Sequence, residues 1–167
     1  MAAWYLEAIA QAAPGATVCI DPFHVVKLAN RALDEVRRQE WNRVRREAGD
    51  ARAVKYTQWA LLKRPERLSD EQRATLALVH RHNRRLWRGY EIKEMVRAVY
   101  ERPAEAAAWL DGAIRRAARS RLNPFQVLAR TLRQYRAAIL AAGEHGLSNS
   151  PLEALNSRLA LINHRAS

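Results

Sequence analysis

Cysteine is almost absent from this sequence, because Cys19 is the only one among 167 residues. A single cysteine excludes an internal disulfide and fits a reducing compartment. Long apolar runs are also absent: no stretch of about 18 apolar residues predicts a membrane span. The sequence shows no charged and then apolar leader of the secretory type. We therefore expect a cytoplasmic protein.

Patterns typical of nucleophilic or zinc enzymes are absent too. We find no G-x-S-x-G elbow, and Cys19 has no basic neighbour in sequence that would activate its thiol. The five histidines are scattered. His80 and His82 are two residues apart and do not share a helical face, and His24 stands near one acid, whereas zinc needs four tight ligands. No internal repeat indicates a solenoid.

Acidic residues are in short supply, with 17 against 29 lysines and arginines, which gives a formal net charge of +12. Such a balance is typical of proteins that bind a polyanion. The alternative is an arginine-rich surface that is merely solvated. With 49% hydrophobic residues, the chain is long enough to bury the core of one domain.

The most informative stretch is residues 17–30, T-V-C-I-D-P-F-H-V-V-K-L-A-N. Its β-branched start predicts a buried strand over 17–20, and Pro22 then begins an amphipathic helix that we expect to end near Glu47. Asp21 would stand at the carboxyl end of the strand, where open α/β sheets place reactive groups. The alternative is that Asp21 only caps the helix.

A second acid lies in a similar setting near the other end of the chain. Residues 148–156 read S-N-S-P-L-E-A-L-N, in which Ser150, Pro151 and Glu153 form the pattern of a capped helix start. The apolar residues of the predicted helix 151–163 recur at spacings of three and four, and Glu153 lies off that face. Asn149 and Asn156 flank it. Capping is again the structural alternative for this acid.

Several motifs together resemble the ISL-three group of bacterial insertion-sequence transposases. They occur in the family's order: D-P-F-H-V-V-K-L-A-N, A-L-D-E-V-R-R, L-L-K-R-P-E-R-L-S, Y-E-I-K-E and S-N-S-P-L-E-A-L-N-S-R-L. The resemblance implies a DDE recombinase with a ribonuclease-H-like core, whose three acids hold two Mg²⁺ or Mn²⁺ ions. By this resemblance Asp21 matches the second acid and Glu153 the third, and in the family the asparagines matching Asn149 and Asn156 accompany that acid.

The family's first acid has no match here. It lies on an earlier strand, upstream of the segment that matches residues 1–13, and the family's amino-terminal zinc-binding and DNA-binding regions have no counterpart either. We therefore expect a fragment of the catalytic region. Two-metal phosphodiester chemistry needs carboxylates on several sides of the ion pair, so we also expect this chain to be inactive alone.

The expected fold class is mainly α: a truncated ribonuclease-H-like α/β core with one recognisable strand and a large helical insertion. Residues 1–49 would be the partial core with the second acid, 50–142 the helical insertion, and 143–167 the final core helix with the third acid. Proline, glycine and capping residues predict helices over 2–13, 51–63, 70–82, 83–101, 104–119 and 124–143. In the helix 51–63, Tyr56, Trp59, Ala60 and Leu62 would be the packing anchors, and Gly143 would end the last of these helices.

Double-stranded DNA at transposon ends is the expected partner, and a second protomer is a further candidate. The predicted DNA-contacting side chains lie off the apolar stripes or flank the third acid: Lys27, Arg31, Arg37, Arg38, Arg43, Arg115, Arg116, Arg130, Arg133, Asn149 and Asn156. One alternative is a non-catalytic basic helical module that binds nucleic acid. Another is a helical interaction domain that touches no nucleic acid.

Overall fold

The computed structural model describes residues 11–13, 15–47 and 54–144, and this part of the chain is built from helices. In chain order the α-helices are α1 Pro22–Arg46, α2 Gln58–Leu62, α3 Asp70–His82, α4 Arg84–Glu101, α5 Ala106–Ala118, α6 Asn123–Gln134 and α7 Arg136–Glu144. Two short 3₁₀ turns, Pro65–Arg67 and Pro103–Glu105, precede α3 and α5.

Local sequence signals set most of these boundaries. Pro22 occupies the first turn of α1, where its missing N–H costs no helical hydrogen bond. Ser69 and Gln72 form the expected capping box of α3, because each side chain accepts from the other residue's backbone N–H. Asn83 separates α3 from α4, and its Oδ1 accepts from the N–H of Leu86 at 3.0 Å.

Four helices form a closed ring around the core. Helix α4 packs against α1 and α5, and α6 packs against the same two helices from the other side. Leu33 of α1, Ile92 of α4, Leu110 of α5 and Phe125 of α6 are fully buried at the centre of this ring. Helices α2 and α3 cover one side of it, and α7 contacts α1, α5 and α6.

Helices α1 and α4 run antiparallel, and two contacts fix how they are aligned. Glu40, near the end of α1, bonds the side chains of Asn83 and Arg85 at the start of α4. One turn and a half further along α4, Gly89 lies against Leu33, and a Cβ placed on Gly89 would meet Leu33 Cδ1 at 3.0 Å and Phe125 Cε2 at 2.9 Å. The absence of a side chain at Gly89 lets three helices approach each other.

The predicted ribonuclease-H-like core is wrong, because the described residues contain helices and no strand. Residues 17–20 lie outside any helix, and the N–H of Ile20 donates to the carbonyl oxygen of Ala138 in α7 at 3.1 Å. An extended segment needs a neighbouring strand to satisfy its backbone groups. Here one of those groups is satisfied by a helix instead, so the mainly α part of the expectation is what remains.

Three helix predictions need correction. The helix expected over 51–63 is interrupted by a turn at residues 56–57, and two of its expected anchors are solvent-exposed, Tyr56 at 71% and Trp59 at 61%. The helix expected over 124–143 is divided at Tyr135 into α6 and α7, and α7 continues past Gly143 to Glu144. The predicted helix 151–163 and most of 2–13 lie outside the described residues, and the three-part domain division stays a prediction.

Candidate active site and nucleic-acid interface

Asp21 is the N-cap of α1. Its Oδ1 accepts from the N–H of Phe23 at 2.8 Å, and its Oδ2 lies 3.4 Å from Nδ1 of His24. Burial and the nearby Asp21 carboxylate raise the pKa of Tyr100, so the end of α4 also lies close to this acid. The capping role that the sequence allowed is therefore present in the structure.

A cavity of about 550 Å³ opens beside Asp21. Its wall combines this carboxylate with two cations of the same helix, Lys27 and Arg31, and Thr131 and Tyr135 line the opposite side. Both cationic residues are exposed, and neither lies within ion-pair distance of a carboxylate of the described chain. The acid therefore lies next to positive charge that is available to a ligand.

A larger and more open groove of about 750 Å³ continues from this cavity between α1, α2 and α6. Lys27, Arg31 and Thr131 line both spaces, and Arg38 extends the positive side of the groove along α1. Asp34 also lines the groove, but its carboxylate is held by Arg37 at 2.7 Å and by Arg38 at 2.9 Å. The Asp34–Arg38 pair follows the helical spacing expected from the sequence.

The nine described residues of the predicted DNA-contacting set fall into two groups. Lys27, Arg31, Arg115, Arg130 and Arg133 are exposed and have no ion pair with a described carboxylate. Arg37, Arg38, Arg43 and Arg116 are each paired with an acid: Arg43 with Glu40 and Glu47, and Arg116 with Glu91. Arg37 is also largely buried, with 11% of its side chain exposed. Asn149 and Asn156 lie outside the described residues.

The magnesium pair implied by the resemblance does not fit the described residues. Among them, no group of three His, Cys, Asp or Glu side chains is placed to hold a metal ion. Near Asp21 the described chain offers His24, and one oxygen of the carboxylate already caps α1. Mg²⁺ prefers several hard oxygen ligands. Glu153, the second predicted ligand, lies outside the described residues.

The sequence patterns missed two buried charged residues. Glu40 is 1% exposed; its Oε1 accepts from Nε of Arg85 at 2.7 Å, and its Oε2 accepts from Nη2 of Arg43 at 3.0 Å and from Nδ2 of Asn83 at 3.3 Å. Glu40 follows Val36 by four residues, so the apolar stripe of α1 already indicated a buried position. Its partners on α4 could not be inferred from that spacing.

Lys93 is the second buried charge, at 3% exposure. Its Nζ donates to the carbonyl oxygen of Leu61 at 2.9 Å, pairs with Glu94, and lies 4.7 Å from the centre of the Tyr90 ring. Burial lowers the pKa of Lys93 and raises that of Tyr90 to about 12. Lys93 thereby attaches α2 to α4 through a single hydrogen bond from a buried ammonium group.

Comparison with known proteins gives the class of this chain. A family model described as a transposase, of the ISL3 type of DDE transposases, matches residues 1–167. The chain therefore belongs to the ISL3 family of DDE transposases. Within the described ranges, no helix is long and apolar enough to cross a bilayer.

Two relatives illustrate the similarity. The chain is 35% identical over 181 residues to the transposase for insertion sequence element IS1557 of Mycobacterium tuberculosis, covering 95% of this chain and 41% of the relative. It is 29% identical over 156 residues to the transposase for insertion sequence element IS1001 of Bordetella parapertussis, covering 92% and 38%. The chain thus spans about two fifths of the length of these relatives. No solved structure matches it significantly.

Proposed function

We propose that this chain is the part of a transposase that holds a DNA strand along α1, beside Asp21, for cleavage and joining. The observation that carries the proposal is the shared wall of the 550 Å³ cavity, where Asp21 lies with Lys27 and Arg31. A carboxylate alone repels a phosphodiester. Two neighbouring cations offset that repulsion and fix the position of the backbone, as phosphate contacts generally do.

The chain's own residues divide this work. Lys27, Arg31, Arg130 and Arg133 hold backbone phosphates, since their charges are not neutralised by described acids. Asp21 and Glu153 supply two of the three carboxylates that the family uses. Since the first acid has no match here, the chain alone does not assemble a complete site, and we expect no strand cleavage by it with magnesium or manganese.

DNA binding by this 167-residue chain tests the first half of the proposal. Each phosphate contact releases counterions, so log affinity for duplex DNA falls with log salt by about 0.9 per contact. The four cations assigned to phosphates, Lys27, Arg31, Arg130 and Arg133, predict a slope of about −3.6. Lys27→Gln and Arg31→Gln should each reduce the magnitude of the slope by about 0.9. Arg73→Gln is the matched control, because Arg73 is exposed but paired with Asp70 at 3.1 Å.

A titration followed by fluorescence anisotropy between 50 and about 200 mM salt would measure these slopes. No complex with duplex DNA at micromolar protein and low salt would mean that the positive charge is only a solvated surface. Equal losses in the Lys27, Arg31 and Arg73 variants would mean that DNA does not lie along α1. Either result would overturn the proposal.

Cleavage tests the second half. In a transposase that joins this chain to the family's amino-terminal region, Asp21→Asn and Glu153→Gln should each abolish strand cleavage. Asparagine is as good an N-cap as aspartate, so Asp21→Asn removes the charge and keeps the helix start. Cleavage that persists in this variant would favour the second candidate, a non-catalytic DNA-binding module. The capping hydrogen bond from Phe23 to Asp21 is the observation that keeps this candidate in view.

A further inference from the structure

Two aromatic side chains of the segment 54–63 have no cover in the described structure. Trp59 is 61% exposed and Tyr56 is 71% exposed. The other described tryptophans are all partly covered: Trp41 lies 4.8 Å from the Arg45 guanidinium, Trp87 packs between His80 and Tyr90, and Trp109 lies 5.2 Å from the Arg102 guanidinium. Tryptophan is usually largely buried, and exposed apolar side chains grouped together with a polar rim mark an interaction surface.

The exposed side of this segment is cationic as well as aromatic. Val54, Thr57, Ala60 and Leu61 of this segment are buried, whereas Lys55, Tyr56, Trp59 and Lys63 are exposed, so the four exposed side chains lie on the side away from the core. We call these four residues the Trp59 face. The segment V-K-Y-T-Q-W-A-L-L-K contains no acid. Lys63 reaches only the neutral Gln72, at 3.3 Å, and Lys55 has no ion pair with a described carboxylate.

The opposite side of the segment is held firmly. Ala60 and Leu61 are buried at 1% and 0% exposure, and Thr57 Oγ1 donates to the carbonyl oxygen of Val54 at 2.6 Å. The carbonyl oxygen of Leu61 also accepts from the buried Lys93. The Trp59 face is therefore presented on a fixed support, which lowers the entropy cost of binding at its two rings.

We propose that the Trp59 face binds unpaired bases of a DNA strand, with Trp59 and Tyr56 stacking on bases and Lys55 and Lys63 contacting the flanking phosphates. The proposal rests on the proposed function, which makes DNA the ligand. Every base has a flat face that stacks on an aromatic ring, while the bases of an intact duplex are already stacked on each other. Aromatic rings beside lysines therefore suit a single strand better than a duplex.

Charge favours nucleic acid over a second copy of this chain as the occupant. A symmetric dimer through the Trp59 face would bring Lys55 and Lys63 of both copies together with no acid of the segment 54–63 to neutralise them. Like charges across an interface are unfavourable. A phosphodiester backbone supplies one negative charge per nucleotide, which would neutralise both lysines.

The test compares two single-stranded oligonucleotides of equal length, one of thymidines and one abasic, bound to the 167-residue chain. The abasic strand keeps the phosphates and lacks the bases. We expect the chain to bind the thymidine strand more tightly than the abasic one. Trp59→Ala should weaken binding of the thymidine strand by about 10-fold and leave the abasic strand unchanged. Trp59→Phe should retain most of the affinity, because it keeps a ring.

Leu78→Ala is the matched control, since Leu78 is a large apolar residue of α3 with 59% exposure and lies outside the Trp59 face. It should change neither affinity. Equal binding of both strands, or an equal loss for both in Trp59→Ala, would overturn this inference while salt-dependent duplex binding upheld the proposed function. No binding to duplex or single strand would overturn both. A dimer that Trp59→Ala dissociates would show that the face is a protein interface and overturn the inference.

Discussion

Removing one partner of the buried Glu40 should test how strongly α1 is held against α4. The Glu40 carboxylate is 2% exposed. Arg85, at the start of α4, donates from Nε to this carboxylate at a distance of 2.7 Å. Arg85→Met leaves the buried Glu40 carboxylate with one hydrogen-bond donor fewer. A hydrogen bond to a charged group contributes about 1.5–3 kcal/mol, so we expect the free energy of unfolding to fall by about 2 kcal/mol. Arg85 itself is 47% exposed and can be solvated, so the cost arises at Glu40.

The same substitution in a Glu40→Leu background should cost less than about 0.5 kcal/mol, because no buried charge remains to be satisfied. The double-mutant cycle therefore predicts a coupling energy of about 1.5 kcal/mol. Urea unfolding measures it: with a slope of about 2 kcal/mol per molar urea, 2 kcal/mol shifts the midpoint by about 1 M. Arg73→Met is the control for an exposed pair and should shift it by less than about 0.25 M. A coupling energy below about 0.5 kcal/mol, the largest effect expected of the control substitution, would refute the reasoning.

Three further outcomes follow from the structure. Asp21→Ala should lower the unfolding free energy by about 1 kcal/mol through loss of the N-cap, whereas Asp21→Asn should change it by only a few tenths; equal losses in thermal unfolding would contradict the capping geometry. Burial lowers the pKa of Lys93 in the folded chain. The unfolded chain therefore binds more protons as pH rises towards about 10.5, so stability should increase over that range and Lys93→Met should flatten the increase in urea titrations at stepped pH. Gly89→Ala would bring a Cβ to 2.9 Å from Phe125 Cε2; overpacking of about 1–3 kcal/mol exceeds the gain in helix propensity of about 1 kcal/mol, so a stabilised variant would contradict the packing described here.

The helix boundaries were largely predictable because they depend on neighbouring residues. Pro22, the Ser69 capping box and Pro103 act on the backbone within one turn, and each begins a helix or a helical turn close to the expected position. The division at Tyr135 was not predictable in this way. The apolar spacing continues through it, so the stripe from Phe125 to Ile139 indicated a single helix.

Features that depend on distant residues were predicted poorly. The β-branched residues Thr17, Val18 and Ile20 predicted a strand, but a strand forms only where another strand pairs with it, and no such partner occurs in the described residues. Trp59 was expected in the core because its hydrophobicity can be read from the sequence. Which side of the segment faces the core depends instead on Leu61 and its contact with the distant Lys93. Propensity yields to packing in both cases.

The candidate site shows the same limit. The predicted DNA-contacting set treated its arginines alike, since only charge and position along the helix are visible in a sequence. The acids that neutralise Arg37 and Arg43 lie on the same helical face at spacings of three and four, and those pairs could have been found from the sequence. The pairing of Arg116 with Glu91 joins two different helices, so it could be recognised only once the fold was known.

Helix α1 connects the buried Glu40 network to Asp21, so a small rotation of the helix at Glu40 becomes a larger displacement at Asp21. The two acids are 19 residues apart on an uninterrupted helix, which corresponds to about 28 Å of rod. A tilt of about 5° at the Glu40 end would displace the Asp21 end by about 2.5 Å, given that length. Misplacing a reacting group by about 1 Å can cost about 100-fold in rate. In the proposed function Asp21 is the reacting group, so Arg85 and Asn83, which bond Glu40 and not Asp21, help to set its position.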